Sequence, residues 1–217
     1  MTFQRRWFLI LFALILGGEI HSAAGATKEQ RTYAAAVSAF QDGNWSRAET
    51  EFGQFVQKYP KSTNAPEAVL MQAQSEFKQG EFTNVIARLA DTGNVARAGT
   101  LADQYAYWVG EARFQSGDLT NAAETFTSLA TNFPGSSLRL RAVVEAAAAF
   151  VQLGDWPETI KLLEDTNGVF QRTAKLDSGN ELVSRGQLLL AQAKFAQKDF
   201  DGAAAVLNLI DSQTLSP

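Results

Sequence analysis

The residues able to do chemistry in this 217-residue chain are few. There is no cysteine, and the single histidine is His21. Without thiols, cysteine nucleophiles, disulfides and cysteine-type zinc sites are excluded. A Ser-His-Asp triad would have to use His21, which lies in an amino-terminal stretch that reads as an export signal. Carboxylates remain. Glu111 and Glu124 could be cast as a general acid and base, but they fall on different helices and nothing in their spacing puts them in one dry cleft. Carboxylates on helix surfaces are usually solvated. No phosphate loop, zinc motif or calcium loop occurs. The expectation is a chain with no catalytic residues, no metal site and no cofactor.

The amino terminus explains what happens to His21. Arg5 and Arg6 precede an unbroken apolar run from Trp7 to Leu16, followed by Gly17, Gly18 and the small residues up to Ala24-Gly25-Ala26. That order is expected of a secretory signal over residues 1–26, with an A-x-A cleavage site at its end. The run is short for a membrane span, which wants about 20 residues; an uncleaved anchor is the alternative. Cleavage after Ala26 removes His21, Arg5, Arg6 and Glu19, leaving 17 positive and 22 negative charges, a net −5. Nothing in that balance favours nucleic acid as a partner. Localisation is expected to be exported, either periplasmic or secreted, with no membrane span after cleavage and no cysteine to carry a lipid.

The elements that would position any site come from internal repetition. Gly43-Asn44-Trp45, Gly80-Glu81-Phe82, Gly117-Asp118-Leu119 and Gly154-Asp155-Trp156 fall 37 residues apart each time, and Lys198-Asp199-Phe200 comes 44 after the last. Three residues before each anchor stand Phe40, Phe77, Phe114, Val151 and Phe195. Seven before stand Ala36, Ala73, Gly110, Ala147 and Ala191; nine after come Phe52, Leu89, Phe126, Leu163 and Leu207. The glycine permits a tight turn between two helices. A short side-chain oxygen after it can cap the second helix, and Pro157 falls in a first helical turn, where proline is tolerated. The small residues mark close helix crossings. Trp45 and Trp156 share a column with Phe82, Leu119 and Phe200, so inter-helix packing explains them better than ligand stacking. Between 166 and 182, turn formers and seven extra residues predict a loop or insertion, with a short helix over Val169 to Ala174.

Small residue, Phe, Gly-x-aromatic, Ala and Phe, with Tyr59-Pro60 or Phe133-Pro134 closing the second helix, resembles the tetratricopeptide repeat. The resemblance covers residues 27–217, although the period is three longer than the usual 34. Asp91-Thr92-Gly93-Asn94 and Asp165-Thr166-Asn167-Gly168 lie 74 apart, as if the array grew by duplicating a pair. Tyr59-Pro60-Lys61-Ser62 and the run to Pro66-Glu67-Ala68 also resemble repeats of bacterial envelope proteins, namely the Tol-Pal-associated periplasmic coordinator and outer-membrane-assembly lipoproteins. The resemblance implies an all-α, right-handed superhelical solenoid of about five helix-turn-helix repeats, with a concave side lined by the first helix of each.

Carrying the family's groove positions over gives Tyr33, Gln74, Lys78, Tyr107, Glu111, Arg141, Arg185 and Gln192 as the polar peptide-binding candidates, with apolar neighbours such as Leu70, Val144 and Leu188. Amide and tyrosine side chains there can hydrogen-bond an extended peptide. Tyr107 is expected beside the core stripe, so that its removal would leave folding nearly intact. The three basic positions belong to three units, which speaks against a convergent carboxylate clamp. On the last helix, Ala203, Val206, Leu207 and Ile210 are expected to form one face that a further repeat, a partner or a second copy would cover, the last by end-to-end self-association. The functional expectation is an exported, non-catalytic scaffold for protein–protein or protein–peptide interaction in the bacterial cell envelope. The alternatives are an amino-terminal docking part of a longer envelope enzyme or secretion and assembly component, and a structural oligomer.

Overall fold

The computed structural model describes residues 26–210; the stretch read as an export signal, through residue 25, and residues 211–217 lie outside the described residues. Twelve α-helices and one 3-10 turn, joined by short turns, occur among the described residues, and no strand does. They pair as five units: α1 (Lys28–Gln41) with α2 (Trp45–Lys58), α3 (Ala65–Gln79) with α4 (Phe82–Leu89), α6 (Ala102–Gln115) with α7 (Leu119–Asn132), α8 (Arg139–Leu153) with α9 (Trp156–Glu164), and α11 (Glu181–Ala196) with α12 (Phe200–Leu207). Two short helices, α5 (Thr92–Arg97) and α10 (Val169–Leu176), bridge the second unit to the third and the fourth to the fifth. Each unit packs on the next, giving a right-handed superhelical solenoid.

The repeat columns have direct structural causes. Gly43, Gly80, Gly117 and Gly154 all sit at φ between 72° and 82°, where a Cβ is penalised. Lys198, in the fifth copy, keeps the same turn at φ 66° without a glycine. Asn44, Asp155 and Asp199 accept from the backbone N–H three residues on, capping α2, α9 and α12. Asp118 does not; its carboxylate instead holds the Asn121 amide. Gly110 is small because Phe126 lies against it: a Cβ there would fall 2.6 Å from the ring. Phe40 meets Trp45 at 5.1 Å, Phe77 meets Phe82 at 5.2 Å and Phe195 meets Phe200 at 5.3 Å, so one edge contact recurs in three units.

A polar brace recurs as well. Glu76, almost fully buried, is clasped by Arg88 twelve residues on, and Arg113 donates to Thr125 at the same columns of the next unit.

The 74-residue period is a period of contacts. Ser62 donates to Glu29 and accepts from the Asn64 backbone; Ser136 donates to Asp103 and accepts from the Leu138 backbone, each partner 74 residues further on. The bridging helices differ in how they fill the joint after them. Phe170 of α10 packs against Gly186, where a Cβ would fall 2.2 Å from the ring. At the earlier joint, small Ala98 meets the buried Tyr105, whose hydroxyl donates to the Pro66 carbonyl at 2.7 Å.

The last unit corrects one expectation. Ala203 and Val206 turn inward and are buried, so they do not belong to the open end face. That face is made by Leu188, Phe195, Phe200, Leu207 and Leu209, all exposed.

Candidate functional site

Half of the polar groove candidates come together in one place. Tyr107 and Glu111 stand one helical turn apart on α6, Arg141 lies on α8 and Arg185 on α11, so three successive first helices contribute. Glu145, which the groove positions did not select, completes the cluster. Its carboxylate accepts from Arg185 in a fork, Nη1 to Oε1 at 2.5 Å and Nη2 to Oε2 at 2.8 Å. Forked geometry of this kind fixes both planes. The signal for Glu145 was its i,i+4 spacing from Arg141 on one helix face. Val144, the neighbour that the groove positions chose, is core, with no exposed surface, and Leu70 is also core.

The electrostatics follow from crowding. Glu111 is half-buried and shares a hydrogen bond with the Tyr107 hydroxyl. Burial first, and the Glu145 carboxylate second, push its carboxyl up from 4.5 to about 7, against the pull of Arg185 and Arg141. Burial also raises the Tyr107 phenol far above its usual range, with Glu111 and Glu145 adding to it. The site therefore holds two carboxylates, two guanidiniums and a phenol in a space where protonation is adjustable near neutral pH.

Tyr107 needs correcting on one point. It is 6% exposed and packs on Phe126 at 5.8 Å, so it belongs to the core through its ring and to the groove only through its hydroxyl. Removing the whole side chain would open a cavity.

The other four candidates do not join this cluster. Tyr33 is half-buried 74 residues before Tyr107, in the equivalent position; burial raises its phenol, as does its hydrogen bond to Glu67. Lys78 reaches over the Trp45 ring at 5.9 Å, and burial lowers its ammonium. Gln74 is half-buried on α3, and Gln192 is exposed on α11 beside the open end face. Glu124 is exposed and lines a cavity with Arg113 and Thr125, apart from the Tyr107–Glu111–Glu145 cluster. No group of three or more His, Cys, Asp or Glu among the described residues is placed to hold a metal. No helix among them is long and apolar enough to cross a membrane.

This is a tetratricopeptide-type array with a polar cluster on its first helices, and comparison with known proteins leads the same way. A family model described as tetratricopeptide repeat matches residues 70–137, and one described as outer membrane lipoprotein matches residues 25–92. A search of curated proteins finds no match. Among solved structures, the chain is similar to a kinesin light chain-type protein of Podospora anserina with nearly identical TPR-like repeats: 19% identity, 82% of this chain and 90% of that one, TM-score 0.63. It is also similar to the MamA protein, at 13% identity, 83% and 88% coverage and TM-score 0.65. These likenesses speak for the fold. Arrays of this class generally bind protein partners, which makes a protein-interaction scaffold the coarse functional class.

Proposed function

We propose that this chain is an exported, non-catalytic scaffold of the bacterial cell envelope that holds a protein or peptide segment along the first helices of its third to fifth units. The observation that carries the reading is the convergence of Tyr107, Glu111, Arg141, Glu145 and Arg185 from three helices. Arg141 lies within electrostatic reach of Glu111 and Tyr107 and makes no hydrogen bond or ion pair among the described residues. Its guanidinium can fork onto a carboxylate or backbone carbonyl of the bound segment. The match to an outer membrane lipoprotein family over residues 25–92 supports the envelope setting, as does the export signal read at residues 1–26.

A photo-crosslinking residue tests this. Placed at Gln104, three residues before Tyr107 on α6, or at Arg141, it should capture a partner in the native envelope; placed at the exposed Glu124, it should not. Capture from Glu124 alone would refute the groove. A second reading, a structural oligomer, is favoured by the exposed Phe195–Phe200 pair with Leu188 and Leu207 on the open end. Phe195→Ser with Phe200→Ser should then lower the mass in solution, and an unchanged mass removes that reading.

A further inference from the structure

A cavity of about 330 Å³ lies at the other edge of the array, where the first helices begin and α5 crosses. Its walls include Val56, Pro60, Ala65 and Tyr105, and its rim carries Lys61, Asn94 and Arg97. The volume is that of a small ligand pocket. Two cations line it and no carboxylate does.

The second pair of units shows what that space is for. Val56 lies in the last turn of α2, whose carbonyls have no helical donor, and Pro60 just beyond the end has no N–H to offer it. Pro134 deprives the Ala130 carbonyl in the same way, 74 residues later. There the defect is repaired from within: Arg139 Nε donates to the Ala130 carbonyl at 2.8 Å and Nη1 to the Pro134 carbonyl at 3.2 Å. The residue equivalent to Arg139 in the first pair is Ala65, which is buried and cannot reach. No donor to the Val56 or Pro60 carbonyl is present among the described residues. The cations change in step: Lys61 and Arg97 correspond to Gly135 and Gln171, and the Gln171 amide is spent on the Leu163 carbonyl. One joint is plugged by its own arginine. The other has no such plug and carries two cations.

We propose that the joint beneath α5 is a binding site for an acylated amino-acid unit ending in a carboxylate. Its amide N–H takes the place of the Arg139 Nε donor on the Val56 carbonyl, its side chain lies on Ala65 and Val69, and its carboxylate takes Lys61 and Arg97. The unit can come from a free N-acyl amino acid or from the end of a peptide chain. The site is separate from the concave cluster, and neither depends on the other.

The test uses the whole exported chain and four probes: N-acetyl-leucine, its uncharged amide, an acetylated tetrapeptide ending in leucine, and that tetrapeptide amidated. Amide shifts in ¹H–¹⁵N spectra report where each binds. Both acids should shift Lys61, Ala65 and Arg97, and both amides should bind at least about tenfold more weakly. A tighter tetrapeptide identifies a chain end as the source; equal affinities identify the free acid, and both support the site. Lys61→Ala with Arg97→Ala should weaken the acids about tenfold or more with the melting temperature unchanged. Ala65→Arg restores the internal plug, so it should abolish binding while keeping or raising the melting temperature. Equal binding of acids and amides, no shift at these residues, or an Ala65→Arg chain that melts lower or still binds would each overturn the proposal.

Discussion

Glu111→Gln separates a carboxylate the fold tolerates from one it needs. In the folded chain the Glu111 carboxyl is lifted from 4.5 to about 7, first by burial and then by Glu145, whose own charge is held in place by the fork from Arg185. The folded state thus binds this proton more tightly than the unfolded chain does. Its stabilising effect is complete below about pH 4.5, is lost as the pH rises through about 7, and is flat above that. One pKa unit is about 1.4 kcal/mol, so the full lift is worth at most about 3.5 kcal/mol. Solvent reaches a half-buried carboxyl, which reduces this to about 2 kcal/mol. Glutamine keeps the shape, carries no charge, and its amide oxygen can still accept from Tyr107. Urea unfolding followed by helical circular dichroism at pH 5 and pH 8 is the assay. The variant should exceed the native chain by less than about 1 kcal/mol at pH 5 and by about 2 kcal/mol at pH 8. Parallel stabilities across that range would show that Glu111 ionises freely and that the cluster is not crowded.

Phe126→Ala empties a fully buried site between Gly110 and Tyr107 and should cost about 3–5 kcal/mol, measured by the same unfolding curves. Gly110→Ala drives a Cβ into that ring and should cost about 1–3 kcal/mol despite alanine's better helix propensity. Tyr107→Phe keeps the packing but removes the hydroxyl that holds Glu111 down, so the pH at which stability falls should move upward; no movement would place the hydroxyl elsewhere. Lys198→Gly relieves a side chain held at φ 66° and should stabilise the last unit by about 0.5–1 kcal/mol, read by hydrogen exchange on α11 and α12.

The scaffold was legible because each repeat column states a local steric need. Positive φ demands glycine at four anchors, and Gly110 and Phe126 specify each other. What was not legible is whatever depends on the distance between units. Tyr107 and Phe126 lie on the two helices of one unit, and an aromatic at a groove position gives no sign of how deep its ring sinks. Glu145 and Arg185 are forty residues apart, and the seven-residue insertion hides their pairing from any fixed period. The helix α5 escaped because Thr92-Gly93-Asn94 reads as a turn, yet the Asp91 carboxylate caps it.

The 74-residue pair orders the differences that matter. Tyr33 and Tyr107 occupy one position, but the residue facing them across the joint is Glu67 in the first pair and Arg141 in the second. Tyr33 therefore sits with a lone acid, whereas Tyr107 sits among two acids and two bases. At the opposite edge the asymmetry reverses: the second pair is plugged by Arg139, and the first is open and cationic. The columns that hold helices together keep the same class of residue, small or apolar, in both pairs. The positions free to vary were those facing a groove or a joint, where a changed side chain alters what can be bound without altering how the units stack.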